Sequence, residues 1–334
     1  MAPARIAVNG FGRIGRLTSR VLLGRDDVEL VAVNDVSTPE MLAHLFTYDS
    51  VHGTWPGDVE QDDQALRIDG HEVRTFSEPD PGRLPWEELE VDLVVECSGK
   101  FRARDALSAH LKAGAAKALL SAPGKGMDLT VVRGVNHEAY DAQAHHLVSN
   151  ASCTTNCLAP VLKVLHETHG VDNAVMTTIH AYTGDQRLLD APHKDLRRAR
   201  AAPLSMIPTT TGAARAIGLV LPELDGRVDG MAVRVPTPNV SLVDLTARLD
   251  EATDTEQLQA AFQQAERGSL SGILRTEARP LVSVDLNHDA HSAVVDLPSL
   301  MVVDDSMAKV LAWYDNEWGY ANRTAEQAAA MFQG

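Results

Sequence analysis

Residues 5–35 read RIAVNGFGRIGRLTSRVLLGRDDVELVAVND, and their order decides the fold. Arg5 to Asn9 is a short apolar strand that runs straight into Gly10, Gly12 and Gly15, spaced GxGxxG. Arg16 to Leu23 carries a helical pattern, and Val28 to Asn34 is a second strand that ends at Asp35, 20 residues after Gly15. Strand, glycine turn, helix, strand and acid in that order form the dinucleotide-binding fingerprint. Gly10 permits a tight turn, Gly12 leaves room for a pyrophosphate, and Gly15 lets helix and strand pack closely. The pyrophosphate is expected on the backbone N–H groups around Arg13 and Ile14, at the positive end of the helix. Asp35 is expected to accept a hydrogen bond from the adenosine ribose and to repel a 2′-phosphate, which favours NAD over NADP.

Further along, Val91 to Cys97 and Ala118 to Ser121 are compact apolar runs, as in parallel strands buried on both faces, with Arg104 to Ala113 as a helix between them. Ser98, Gly99 and Ser121 then fall at carboxyl ends of strands, where an open α/β sheet binds its ligand. His137, His145 and His146 have no acidic or sulfur partner at ligand spacing and read as loop and surface residues, so no metal is expected.

Ser149 to Cys157, SNASCTTNC, carries the chemistry. Ser152 can cap a helix whose body is LAPVLKVL, placing the thiol of Cys153 against unpaired N–H groups and the positive end of the helix dipole. Both favour thiolate over thiol, and the same N–H groups could hold an oxyanion. Pro160 is expected to kink this helix or to separate its first turn. Cys97, Cys153 and Cys157 make no disulfide framework, and Cys157, one turn beyond Cys153, reads as a bystander. Ala174 to His180 is a strand that delivers His180 to a loop. Among 13 histidines, pattern alone leaves His180 one of several candidates for a base.

From Thr183 to Thr210 the chain is polar and arginine-rich, too long for a casual connection, and includes Arg197, Arg198 and Arg200. The run PTTTGAARA at Pro208 to Ala216 again sets small hydroxyls and a glycine before a helix start, which suits a phosphate. After it come the β-rich runs MAVRVP, SLVDLTARL, PLVSVDL, SAVVDL and AKVLAWYD, indicating a largely antiparallel or mixed sheet. Arg234 stands alone in the first of these. A helix is expected over Asp254 to Arg267, with a Thr253/Glu256 capping box, and a second over Tyr320 to Gln333.

The 334 residues exceed the size at which a single core stops growing, so two domains are expected. A net charge of −16 argues against nucleic acid and anionic membranes as partners, and an anionic small substrate would need a local arginine cluster. Mean hydropathy is −0.14. There is no apolar run of about 18 residues, and the start MAPARIAVNG lacks signal-peptide features, so a cytoplasmic location is expected.

SNASCTTNC followed by HAYTGDQRLLDAPHKDLRRARAA, with NGFGRIGR before and WYDNEWGY after, resembles phosphorylating glyceraldehyde-3-phosphate dehydrogenase, a glycolytic oxidoreductase, over essentially the whole chain. The resemblance implies an α/β, Rossmann-type NAD-binding domain at 1–151 and 316–334, with a C-terminal helix returning to it. It implies a second, α+β catalytic domain at 152–315. An S-shaped loop, 183–208, would line the cofactor pocket and the subunit interface of a homotetramer. By the same resemblance Cys153 is the nucleophile and His180 the base. Thr183, Arg198 and Arg234 would hold the substrate phosphate, and Ser152, Thr154, Thr211 and Gly212 the attacking inorganic phosphate. Ser98 and Ser121 would touch the cofactor, and Asn316 would hold its nicotinamide carboxamide. Ser98 stands where threonine is common, and Pro79 where a basic residue often meets the adenine side. The implied reaction takes glyceraldehyde 3-phosphate, inorganic phosphate and NAD to 1,3-bisphosphoglycerate through a Cys153 hemithioacetal and thioester. The alternatives are an erythrose-4-phosphate dehydrogenase that uses water, or a homologue kept for binding or redox sensing.

Overall fold

The structure, a computed structural model, describes residues 2–332. Met1, Gln333 and Gly334, where the expected first domain and the last helix have their ends, lie outside the described residues. Among the others, those up to Val131, Glu138–Ala151 and those from Ala321 onward form one unit, and Val132–His137 with Ser152–Tyr320 form a second. The division therefore differs from the expected one in giving 132–137 and 316–320 to the second unit.

The first unit is built on a sheet whose strands run, edge to edge, Val59–Gln61, Ala65–Ile68, His71–Phe76, Val28–Asn34, Ala4–Asn9, Leu93–Glu96, Lys117–Leu120, Leu147–Ser149 and Leu129–Thr130. From His71–Phe76 onward every pairing is parallel. The first three strands form an antiparallel arm on the edge. Two of the three are polar and Ala65–Ile68 is only four residues long, which kept them out of the sequence reading, whereas the central strands are buried on both faces and so read as continuous apolar runs. The helix Arg13–Leu23 follows the glycine turn. Gly10 has φ 92°, and a Cβ there would lie 2.3 Å from the backbone N of Ser98. A Cβ on Gly15 would lie 2.0 Å from the carbonyl oxygen of Gly10. No side chain fits at either position. The helix expected over Arg104 to Ala113 is two short ones, Arg104–Leu107 and Ala109–Lys112. The Ser108 hydroxyl between them donates back to the carbonyl of Asp105, a local bond that competes with the helical ladder.

The second unit carries a mixed sheet in the order Ile207–Thr210, Val228–Val235, Val171–Ala181, Ser241–Leu249, Met307–Tyr314, Ala293–Asp296 and Leu274–Glu277, with Met301–Val303 also on Met307–Tyr314. Burial alternates along Ser241–Leu249, as it must where only one sheet face is packed. The packed face receives the helix Cys153–His169. That helix runs unbroken through Pro160, so of the two expected outcomes the separate first turn does not occur. Residues 154–162 are all buried, and this packing offsets the ~3 kcal/mol an interior proline costs. Three further local expectations are corrected. PLVSVDL contains a 3-10 turn, Ser283–Leu286, because the Asp285 carboxylate accepts the Val282 N–H at 2.9 Å. PTTTGAARA leads to a 3-10 turn, Arg215–Leu219, in place of an α-helix. The helix Thr255–Arg267 is capped by Asp254, whose carboxylate accepts from the N–H of Gln257, and not by the Thr253/Glu256 box.

Candidate active site

At the carboxyl ends of the strands ending at Asn9, Asn34 and Glu96 the first unit has a cleft of about 180 Å³, lined by Gly10, Gly12, Asp35, Pro79, Cys97 and Ser98 among others. A Cβ on Gly12, the N-cap of the following helix, would meet nothing within 4 Å. Open space there, at the positive end of a helix, suits an anion such as a pyrophosphate. Asp35 is held by two backbone donors, the N–H of Phe11 at 2.8 Å and of Ser37 at 3.2 Å. The Arg13 guanidinium is engaged with Asp49, so what Arg13 and Ile14 bring to the turn is backbone. These features fit a dinucleotide.

Beneath the cleft lies Glu96, fully buried and absent from the sequence reading. It accepts from Asn9 Nδ2, from the N–H and hydroxyl of Ser98, and from His110 Nε2 at 3.0 Å. His110 Nδ1 takes the Trp86 indole N–H, so its proton sits on Nε2 and points at the carboxylate. Four donors satisfy its buried oxygens. The hydroxyl hydrogen of Ser98 turns inward to Glu96, so toward the cleft this side chain acts as an acceptor, whereas Ser121 donates to the carbonyl of Glu96 and is not among the residues lining the cleft.

In the second unit Cys153 is the first residue of its helix, and Ser152 Oγ caps it by accepting the N–H of Thr155 at 3.0 Å. Ala151, just before, is held at φ 54°, an uncommon backbone for a residue with a Cβ. Cys153 Sγ lies 3.7 Å from His180 Nε2. His180 Nδ1 donates to the carbonyl of Ala181 at 2.7 Å, which leaves Nε2 of the neutral ring as the acceptor facing the thiol. Tyr314 stands edge-on to the imidazole, its hydroxyl between those of Thr154 and Thr178, each at 2.8 Å.

Parallel pairing sets His180 directly opposite Arg234. Arg234 Nη1 donates to Thr183 Oγ1 at 2.7 Å and to Gln186 Oε1 at 3.2 Å. Asp185 accepts from the hydroxyl of Thr183 and from Arg198 Nη1. Thr183, Arg198 and Arg234 are therefore one cluster. Of the neighbouring arginines, Arg197 turns to the carbonyl of Pro208 and Arg200 to Asp190. Asp185, Gln186 and Tyr314 were missed in the sequence, although an acid two residues from Thr183 in an arginine-rich loop was a usable signal. Thr211 Oγ1 accepts the N–H of Ala213 at 3.2 Å, and space beside Gly212 is open. The hydroxyls of Ser152 and Thr154 bond to Thr155 and Tyr314, so no hydrogen bond joins them to Thr211. Asn316 is buried, its Oδ1 accepting from Ser241.

Burial opposes the expected pull of the helix terminus toward thiolate. Burial pushes the Cys153 thiol above its ordinary range, against the opposing pull of Arg234 and of the helix-start N–H groups. Burial, helped by Arg234, lowers His180 to about 3. Desolvation thus shifts the thiol and the imidazole toward their neutral forms and opposes the helix terminus. His180→Asn removes the acceptor for the thiol proton and is expected to slow iodoacetamide alkylation of Cys153 near neutral pH. An alkylation profile unchanged against pH would leave the helix terminus as the sole source of thiol reactivity.

A nucleotide cleft in one unit and, in the other, a thiol beside an imidazole backed by arginines define a thiol-dependent oxidoreductase. The family description "glyceraldehyde 3-phosphate dehydrogenase, NAD binding domain" matches residues 4–104, and its C-terminal domain matches residues 152–316. The chain is 53% identical to the glyceraldehyde-3-phosphate dehydrogenase of Geobacillus stearothermophilus, over 97% of both chains. It is 52% identical to that of Pseudomonas aeruginosa over 98% of both. The chain belongs to the glyceraldehyde-3-phosphate dehydrogenase family.

Proposed function

We propose that the chain is an NAD-dependent, phosphorylating glyceraldehyde-3-phosphate dehydrogenase. The observation that carries this reading is Cys153 Sγ at 3.7 Å from His180 Nε2, with Arg234 in register beside the histidine. The phosphate of glyceraldehyde 3-phosphate sits on Thr183, Arg198 and Arg234, where charge-assisted hydrogen bonds are strongest. Its negative charge offsets Arg234, the cation that helps keep His180 neutral, so binding the substrate makes His180 a better base. Sγ attacks the aldehyde carbon as its proton passes to Nε2, and the N–H groups at the start of the helix receive the growing oxyanion. His180 returns the proton to form the hemithioacetal and takes it back from that hydroxyl during oxidation. NAD, when bound, supplies the hydride acceptor. Cys153 is left holding the acyl group as a thioester. Inorganic phosphate, near Ser152, Thr154, Thr211 and Gly212, attacks this carbonyl and releases 1,3-bisphosphoglycerate and the thiol.

The cofactor is held by Gly10, Gly12, Gly15 and the N–H groups of Arg13 and Ile14, with Asp35 on the adenosine ribose, Ser98 as an acceptor, and Asn316 on the carboxamide. A homotetramer is proposed as well, supported by the apolar side chains Leu188, Leu189, Leu196, Leu204 and Met206 that the long loop leaves exposed. Among the described residues no helix is long and apolar enough to cross a membrane, and no group of three His, Cys, Asp or Glu side chains is placed to hold a metal ion. A cytoplasmic enzyme without nucleic-acid or membrane partners is the corresponding proposal, supported by the charge of −16.

The test is NADH absorbance with glyceraldehyde 3-phosphate, with and without inorganic phosphate. Turnover that needs phosphate supports the reading, and equal turnover without it points to the hydrolytic alternative. Cofactor choice has its own check. Asp35→Ala is expected to weaken NAD and relieve the repulsion of NADP without making a good NADP enzyme, because no arginine is among the described residues that line the cleft. A wild-type ratio of kcat/KM for NAD over NADP at or below one, or a ratio unmoved by the substitution, would assign the choice to the 183–208 loop.

A further inference from the structure

Ser241, only 1% exposed, begins a strand of the second unit and forms hydrogen bonds on two sides. Its Oγ accepts the N–H of Ala181 at 3.0 Å and donates to Oδ1 of Asn316 at 2.7 Å. The carbonyl of Ala181 in turn receives Nδ1–H of His180. One buried series of bonds therefore runs from His180 through Ala181 and Ser241 to Asn316, each residue at most 5% exposed.

A serine hydroxyl has a single hydrogen to donate. That hydrogen goes to Asn316 Oδ1, so the amide presents its oxygen to Ser241 and turns its NH₂ away from it. Without the hydroxyl, nothing in this arrangement distinguishes the two amide orientations, and the inward orientation buries an oxygen with no donor. The same hydroxyl ties this amide to the end of the strand that carries the histidine.

We propose that Ser241 is a positioning residue for the cofactor. It fixes the amide of Asn316 so that its NH₂ is ready for the oxygen of the nicotinamide carboxamide. The inference rests on the reading of Asn316 as the group that holds that carboxamide.

The experiment measures NAD dissociation constants by quenching of tryptophan fluorescence in wild type, Ser241→Ala, Asn316→Ala and the double variant. Ser241→Ala is expected to weaken NAD about tenfold. In the Asn316→Ala background the same change is expected to add nothing, since the amide it orients is gone. Unchanged affinity in Ser241→Ala overturns the proposal, and so does a loss that persists in full without Asn316, which marks a general structural effect. If Asn316→Ala itself leaves NAD affinity unchanged, the reading of Asn316 fails, and the proposal with it. Should Ser241→Ala fold poorly, Ser241→Cys keeps most of the volume with a weaker donor. It is then put through the same cycle, with an intermediate loss expected and the same results overturning.

Discussion

Serine in place of Cys153 is expected to stop the oxidation of glyceraldehyde 3-phosphate and leave NAD binding intact. The loss should be on the order of 10⁴-fold or more, as when an enzyme's nucleophile is removed. Burial already pushes the thiol upward, so the wild-type reaction depends on passing its proton to His180 Nε2 at 3.7 Å as the carbon–sulfur bond forms. A hydroxyl gives up its proton far less readily and would form an ester where a thioester is needed. Steady-state NADH production and NAD titration by fluorescence together check this, and turnover near wild type would remove Cys153 from the mechanism. Cys157→Ser, four residues on and fully buried, should keep most activity.

Arg234→Leu should raise KM for glyceraldehyde 3-phosphate about ten- to a hundredfold, the equivalent of ~1.5–3 kcal/mol for one charge-assisted contact. KM for unphosphorylated glyceraldehyde should move far less. Equal effects on both substrates would reject a phosphate-binding role. The substitution carries a second signature. Because Arg234 is one of the groups holding His180 low, its removal raises the histidine, and the acidic limb of the pH–rate profile should move to higher pH. With the cation gone, Cys153 also loses a stabiliser of its thiolate, so its ionisation moves upward too.

Phosphate binding was readable as a need for clustered arginines, but which arginine would answer it was not. Arg197, Arg198 and Arg200 are alike in sequence, yet it is Arg198 that pairs with Asp185, which also accepts from the Thr183 hydroxyl. Tyr314 was overlooked for a related reason: it is 160 residues from Thr154, so nothing local announces the contact. Asp185, whose partners Thr183 and Arg198 lie in the same loop, did carry a local signal. Where local bonding did decide, nearby rivals were hard to rank. Asp254 caps its helix in place of Thr253, and Asp285 turns an apparently β-prone run into a 3-10 turn.

The glycine turn, the central parallel strands and the Ser152 cap over Cys153 were determined by the sequence alone, because each rests on groups close together in the chain. Gly10 and Gly15 admit no Cβ, apolar runs must be buried on both sheet faces, and a hydroxyl three residues before an N–H can cap it. Tertiary structure decided the rest. Parallel strand register put Arg234 beside His180, and the packed surroundings of the thiol and the imidazole shift both toward their neutral forms. A helix terminus can be read from a few residues, but the desolvation that outweighs it depends on every atom folded around the site.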